Sequence, residues 1–146
     1  MKLLLVILTI FLGKGCDEDT KQNIEAAVME YTANTRGFYR KVFIEDKTVT
    51  VSKDREGKDN PPALKISDAD WKELIAGFQE VDLEGLPNLK APTEKRFYDG
   101  AAIAELKITY KGKTYQSASF DHGNPPKEIK ILVTKINSFV KKSNED

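Results

Sequence analysis

His122 is the only histidine in the chain, with Asp121 directly before it and Gly123 directly after. An imidazole beside a carboxylate can serve general acid–base chemistry, provided a positioned partner and a nucleophile lie within reach. Side chains adjacent in sequence usually point apart. The chain has no Gly-x-Ser-x-Gly elbow, and its one cysteine, Cys16, lies near the N-terminus. A zinc site takes three or four ligands, which one histidine among scattered carboxylates does not supply. No catalytic residue, metal site or cofactor is therefore expected, and a loop or capping role suits His122. A hydrolase or metal-dependent enzyme using His122 with Asp121 or Asp99 is the rival reading.

Two other groups carry polar or aromatic chemistry. Asp54, Glu56, Asp59 and Asn60 surround Gly57 in an oxygen-rich stretch. Their spacing departs from the EF-hand order, and Lys53, Arg55 and Lys58 interleave positive charge, so a solvated loop is expected rather than a calcium site. Tyr39 and Phe43 are more informative. Val42, Ile44, Val49 and Val51 share one face of a hairpin only if a two-residue turn at Asp46-Lys47 joins its strands. Tyr39 and Phe43 then take the opposite face, with Ile103 among Lys41, Thr50, Lys107 and Thr109. A three-residue turn at Glu45–Lys47 would instead pair Phe43 with Val49. Aromatics with polar neighbours on an uncovered sheet face suit recognition. Tyr98, Asp99 and His122, in the loops Arg96–Gly100 and Asp121–Asn124, complete the candidate binding surface.

The N-terminus bears on location. Met1-Lys2 is followed by an apolar run from Leu3 to Leu12, then Gly13-Lys14-Gly15-Cys16 and the acidic Asp17-Glu18-Asp19. Basic start, apolar stretch and small residues make the layout of a secretory signal. Ten apolar residues are too few for a membrane-spanning helix, which needs about 20. Cysteine at the cut site predicts a bacterial lipoprotein signal over 1–15, with Cys16 acylated as the mature N-terminus. Gly15 fits that pattern; Leu12, four residues before the cysteine, and the intervening Lys14 depart from it, and ordinary secretion is the alternative. With no second cysteine, no intramolecular disulfide can form.

Charge excludes one class of partner. The chain has 23 basic and 23 acidic residues, and losing Lys2 and Lys14 with the signal leaves the mature part slightly acidic. That balance gives no electrostatic footprint for nucleic acid. The length after the signal suits one domain with a core of its own.

Elements follow from periodicity. Residues 16–23 read as a tether, 24–141 as the domain and 142–146 as a tail. Strands are expected around Ala27–Ala33, Phe38–Ile44 and Thr48–Ser52, the last in strict alternation. Ser67 can cap a helix from Asp68 to about Val81, with Asp70 completing a capping box and Ile66 and Trp71 a hydrophobic staple. Trp71, Leu74, Ile75, Phe78 and Val81 form its apolar stripe. Leu83, Leu86 and Leu89 should tuck under the helix end. A strand over Ala101–Tyr110 turns at Lys111-Gly112-Lys113 and returns over Thr114–Phe120. Asn124 is then placed to cap a second helix, with Pro125 at its first position and Ile129, Leu132, Val133, Ile136, Phe139 and Val140 on its buried stripe. The fold class expected is α+β: a single antiparallel sheet of about five strands, two amphipathic helices packed on one face, and hairpin–helix units in tandem.

Gly37-Phe38-Tyr39, the helix start Ser67-Asp68-Ala69-Asp70-Trp71, and Phe120-Asp121-His122-Gly123 before Pro125-Pro126 resemble segments of small Bacteroidetes-type lipoproteins of unknown function. The resemblance spans the mature chain in layout and phrase. It implies an envelope location and transfers no functional residue. In that group, acidic residues after the acylated cysteine resemble a surface-export signal; Asp17-Glu18-Asp19 matches this in composition, and a plain solvated tether fits equally.

The sequence therefore predicts a lipid-anchored protein of the bacterial cell envelope, at the outer membrane and with surface exposure open. It is expected to act as a non-enzymatic binding or scaffolding module for an unidentified envelope protein or ligand. An inhibitor of a secreted hydrolase is a further alternative.

Overall fold

Alternation along the strands decides which face of the sheet is buried. In the computed structural model, which describes residues 24–144, Ala27, Met29, Tyr31 and Ala33 are buried, while the intervening Val28, Glu30 and Thr32 are only partly so. They belong to β1 (Ala27–Thr35), the strand from which the sheet is built outward. On one side it pairs antiparallel with β2 (Phe38–Glu45), which pairs with β3 (Thr48–Ser52) and then with the two-residue β4 (Leu64–Lys65). On the other it pairs with β5 (Ile103–Tyr110), which carries β6 (Lys113–Gln116) and the two-residue β7 (Phe120–Asp121). The path is β4-β3-β2-β1-β5-β6, with β7 also on β5.

Two tight turns set the register. Asp46 and Lys47 both take positive φ, at 48° and 58°, and Glu45 pairs with Thr48. Lys111 and Gly112 do the same at 49° and 75°, with Tyr110 opposite Lys113. A two-residue loop with both central residues left-handed matches the right-handed twist of the strands it joins. The β2–β3 turn is thus the two-residue form, and Phe43 lies opposite Thr50, not Val49.

The helices α1 (Asp68–Gln79) and α2 (Lys130–Ser143) pack on the sheet. Ser67 accepts the Asp70 N–H at 3.2 Å and its hydroxyl donates to Asp70 Oδ2 at 3.0 Å. Ile66 and Trp71 are both buried, as a staple requires. Trp71, Leu74 and Phe78 from α1 join Leu132, Val133, Ile136, Phe139 and Val140 from α2 and the buried strand residues in one cluster. Leu83 and Leu86 are buried in it and Leu89 packs at its margin. The helices approach closely at Gly77, where a Cβ would stand 3.1 Å from Leu132 Cα. Lys135 and Lys142 of α2 both bond Asp70 at the start of α1.

The sheet has seven strands rather than about five, because β4 and β7 are too short to leave a period-two pattern. The return from β5 is not one strand over Thr114–Phe120. Ser117 is buried, its N–H bonds Leu106 O at 2.9 Å, and its hydroxyl accepts the Leu106 N–H at 3.0 Å, which interrupts the ladder. The first helix ends at Gln79, and Val81 lies beyond it while staying buried. The second does not start at Asn124-Pro125. Pro126 biases Pro125 away from helical backbone, so a 3₁₀ turn at Lys127–Ile129 intervenes and α2 begins at Lys130, running past residue 141 to Ser143. The predicted signal 1–15, Cys16, the rest of the 16–23 tether, and Glu145-Asp146 of the predicted tail lie outside the described residues.

Candidate functional site

Tyr39 and Phe43 sit on the face opposite the core. Their strand partners are Asn34 and Glu30, while the buried Val42 and Ile44 face Tyr31 and Met29. Ile103, Lys41, Thr50, Lys107 and Thr109 share their face through the same registers. Glu30 stands in the middle, with Lys41 Nζ at 3.6 Å and Lys107 Nζ at 3.4 Å from one carboxylate oxygen. Alternation places the aromatics about 13 Å apart along β2 with Lys41 between them.

The charged loop after β3 turns this face into a cleft. Asp54 accepts the backbone N–H groups of Glu56, Lys58 and Asp59 at 2.8–3.2 Å. Asp59 accepts the Ser52 hydroxyl at 2.7 Å and the Lys53 N–H at 3.1 Å. Arg55 reaches back to Asn34 and donates to Thr35 O at 2.8 Å. The loop is thereby held against the end of β1–β2. With Tyr39, Phe43, Thr50 and Pro61 it encloses a cleft of about 450 Å³, within the usual range for ligand sites. Of the carboxylates that evoke a calcium loop, Asp54 and Asp59 serve the loop's own backbone and Glu56 pairs with Lys58. Among the described residues no three His, Cys, Asp or Glu side chains converge as a metal site.

Tyr98, Asp99 and His122 lie apart from that cleft. Asp121 is buried at 1% exposure and organises the turn that carries the first two. It accepts the Thr93 hydroxyl at 2.6 Å, the N–H groups of Lys95 and Arg96 at 2.8 and 3.0 Å, and Arg96 Nη1 at 3.1 Å. Burial works to raise its pKa, but those donors outweigh it and hold the carboxyl down to about 2. The 3₁₀ turn Lys95–Tyr98 pinned in this way ends at Asp99, in left-handed backbone with φ 59°. It projects Phe97 and Tyr98 at 70% and 71% exposure. The Asp121 oxygens are thus bonded to Thr93, Lys95 and Arg96, while the His122 ring bonds Tyr31.

His122 is half-buried against Tyr31 and Phe38, with ring centroids 5.9 and 6.0 Å away. Its Nδ1 and the Tyr31 hydroxyl are hydrogen-bonded at 2.8 Å. Burial first, and the charge of Arg40 second, lower the His122 pKa below 6.5. Burial pushes the Tyr31 phenol up to about 12. The contact fixes the orientation of the imidazole.

Sequence reading missed the long-range members of these sites. The 54–61 loop as a cleft wall depends on Arg55 meeting Asn34 and Thr35, and the Tyr31–His122 bond spans 91 positions. Neither leaves a local pattern. Phe97 had a visible signal, an aromatic pair inside a polar loop. No family, curated protein or solved structure matches this chain.

Proposed function

We propose that this protein is a lipid-anchored binding module of the bacterial cell envelope. Its recognition surface is the uncovered sheet face around Tyr39 and Phe43. The observation that supports this reading is the two-residue turn at Asp46-Lys47, which assigns both aromatics to the face opposite the core, where the 54–61 loop walls a cleft. Large partly exposed aromatics contribute little to the fold from that position, and they are the side chains most often found anchoring interfaces. The loop's polar groups are held by internal bonds before any ligand arrives, which lowers the ordering cost of binding. The Cys16 signal pattern supports attachment at the membrane, with an envelope protein or ligand as partner and without nucleic acid.

The test replaces both aromatics. Tyr39→Ser/Phe43→Ser should lower unfolding free energy by less than about 1 kcal/mol in denaturant titration, as substitutions outside a core do. Compared on a Cys16→Ala background, which carries no lipid, the double variant should lose saturable binding to isolated envelope vesicles by at least roughly tenfold. Unchanged vesicle binding, or a stability loss of several kcal/mol, would overturn the proposal.

A further inference from the structure

Among the described residues, Arg40 is the cation whose surroundings the fold leaves unexplained. Its register partner is Ala33, so it lies on the core-facing side of β2, on the other side of the sheet from the Tyr39–Phe43 cleft. It is half-buried, its Nε is fully buried, and that atom has no hydrogen-bond partner among the described residues. Other described cations this far into the fold have a carboxylate: Arg96 has Asp121 at 3.1 Å, and Lys135 has Asp70 at 2.7 Å. Arg40 instead lies over the Phe38 ring, 5.2 Å from its centroid. Charged groups withdrawn from water are costly unless paired, and an unsatisfied buried donor calls for an explanation.

The neighbours of Arg40 describe what would satisfy it. His122 also packs on Phe38, with ring centroids 6.0 Å apart, and is fixed by Tyr31. We propose that Arg40, with His122 beside it, forms a binding site for an organic carboxylate. A planar guanidinium matches a carboxylate's two oxygens, and Phe38 offers an apolar flank to the group that bears it. One guanidinium beside an uncharged imidazole suits a single negative charge. A phosphate dianion calls for a second cation or a cluster of backbone N–H donors as well. The site stands whether or not the cleft on the opposite face binds anything.

His122 provides the readout, because a carboxylate held beside it favours the protonated ring. The charged and polar groups facing it are Arg40 and Tyr31; the neighbouring Asp121 is turned to Thr93 and Arg96. The imidazole titration of the purified protein is followed by NMR at increasing acetate, phenylacetate or inorganic phosphate, at constant ionic strength. The expected result is a saturable rise of the His122 midpoint by about one unit with the carboxylates. Phenylacetate should saturate at lower concentration than acetate, and the Arg40 Nε resonance should move with the same half-saturation. Arg40→Gln should abolish the rise and Arg40→Lys retain part of it; Trp71 fluorescence verifies that each variant is folded. If Arg40→Gln does not fold, the wild-type Arg40 Nε resonance and Arg40→Lys decide. An unmoved midpoint, a rise that persists in folded Arg40→Gln, or a response to phosphate alone would overturn the proposal.

Discussion

Asp121 and His122 adjoin in the chain and face different surroundings. The carboxylate is turned into a nest of donors that keeps it ionised. The imidazole is turned onto Tyr31 and Phe38, where burial and Arg40 disfavour its charged form. These shifts act on stability in separate pH windows. His122 has a folded pKa below its unfolded value of 6.5, so the unfolded chain binds the extra proton first. Its stabilising contribution is complete above about pH 6.5 and is lost as pH falls through the folded value. Asp121 also has a depressed folded pKa, but its loss begins only below the ordinary carboxylate value of 3.8 and runs down towards about 2. Urea titrations in carboxylate-free buffer should show unfolding free energy falling as pH drops below about 6.5. His122→Gln should flatten that slope while leaving the fall below pH 4 in place. An equal slope in the variant would mean that the imidazole is as free to protonate in the fold as in the unfolded chain.

Between elements, several couplings converge on the start of α1. Its first turn carries the Ser67–Asp70 cap, Trp71 beneath Lys47 at 5.8 Å, and the two α2 lysines on Asp70. Trp71 is 5% exposed, so Trp71→Ala should cost about 3–5 kcal/mol in denaturant titration, the usual range for truncating a large core aromatic. A cost under about 1 kcal/mol would place the α1 stripe outside the core. This helix was readable because its signals are local: a cap, a carboxylate three residues on and an apolar stripe all fall within Ser67–Phe78. The first hairpin was readable as a pair of strands but not in its register: a two-residue and a three-residue turn both fit the sequence, and the left-handed backbone of Asp46 and Lys47 decides between them. The approach to α2 was not readable. Asn124 looks like a cap, yet its N–H bonds Asp121 O at 2.9 Å and its side chain donates to Thr93 at 2.9 Å, and Thr93 is remote in sequence. The split of the last strand has the same origin, because Ser117 takes Leu106 as partner across the sheet. The candidate site was half legible: alternation placed Tyr39 and Phe43 on one face, whereas the loop wall and the surroundings of Arg40 rest on contacts between distant residues.

Across the whole molecule, the sheet has two unlike ends. Ile24, the first described residue, leads into the start of β1, alongside the Asp46-Lys47 and Lys111-Gly112 turns. The end where β1 finishes gathers the Arg36-Gly37 turn, the Arg55 loop, the Lys95–Tyr98 turn and His122. Strand rise puts about 25 Å between these ends. If Cys16 is acylated, residues 17–23 join the membrane to the Ile24 end, and the end bearing Tyr98 and His122 stands on average farther from the lipid. Because Cys16 is the chain's one cysteine, acylation leaves no free thiol, and an engineered cysteine can be labelled alone. Metabolic labelling should attach fatty acid to the wild-type protein and not to Cys16→Ala, which should also stop partitioning into detergent. In vesicles carrying a headgroup quencher, a fluorophore on Lys111→Cys should be quenched more than one on Tyr98→Cys. A soluble wild-type protein with a reactive Cys16 thiol would remove the lipoprotein reading. Lipidation together with equal or reversed quenching would keep the anchor but overturn the orientation, and the exposed Phe97–Tyr98 turn would then belong at the membrane side of the molecule.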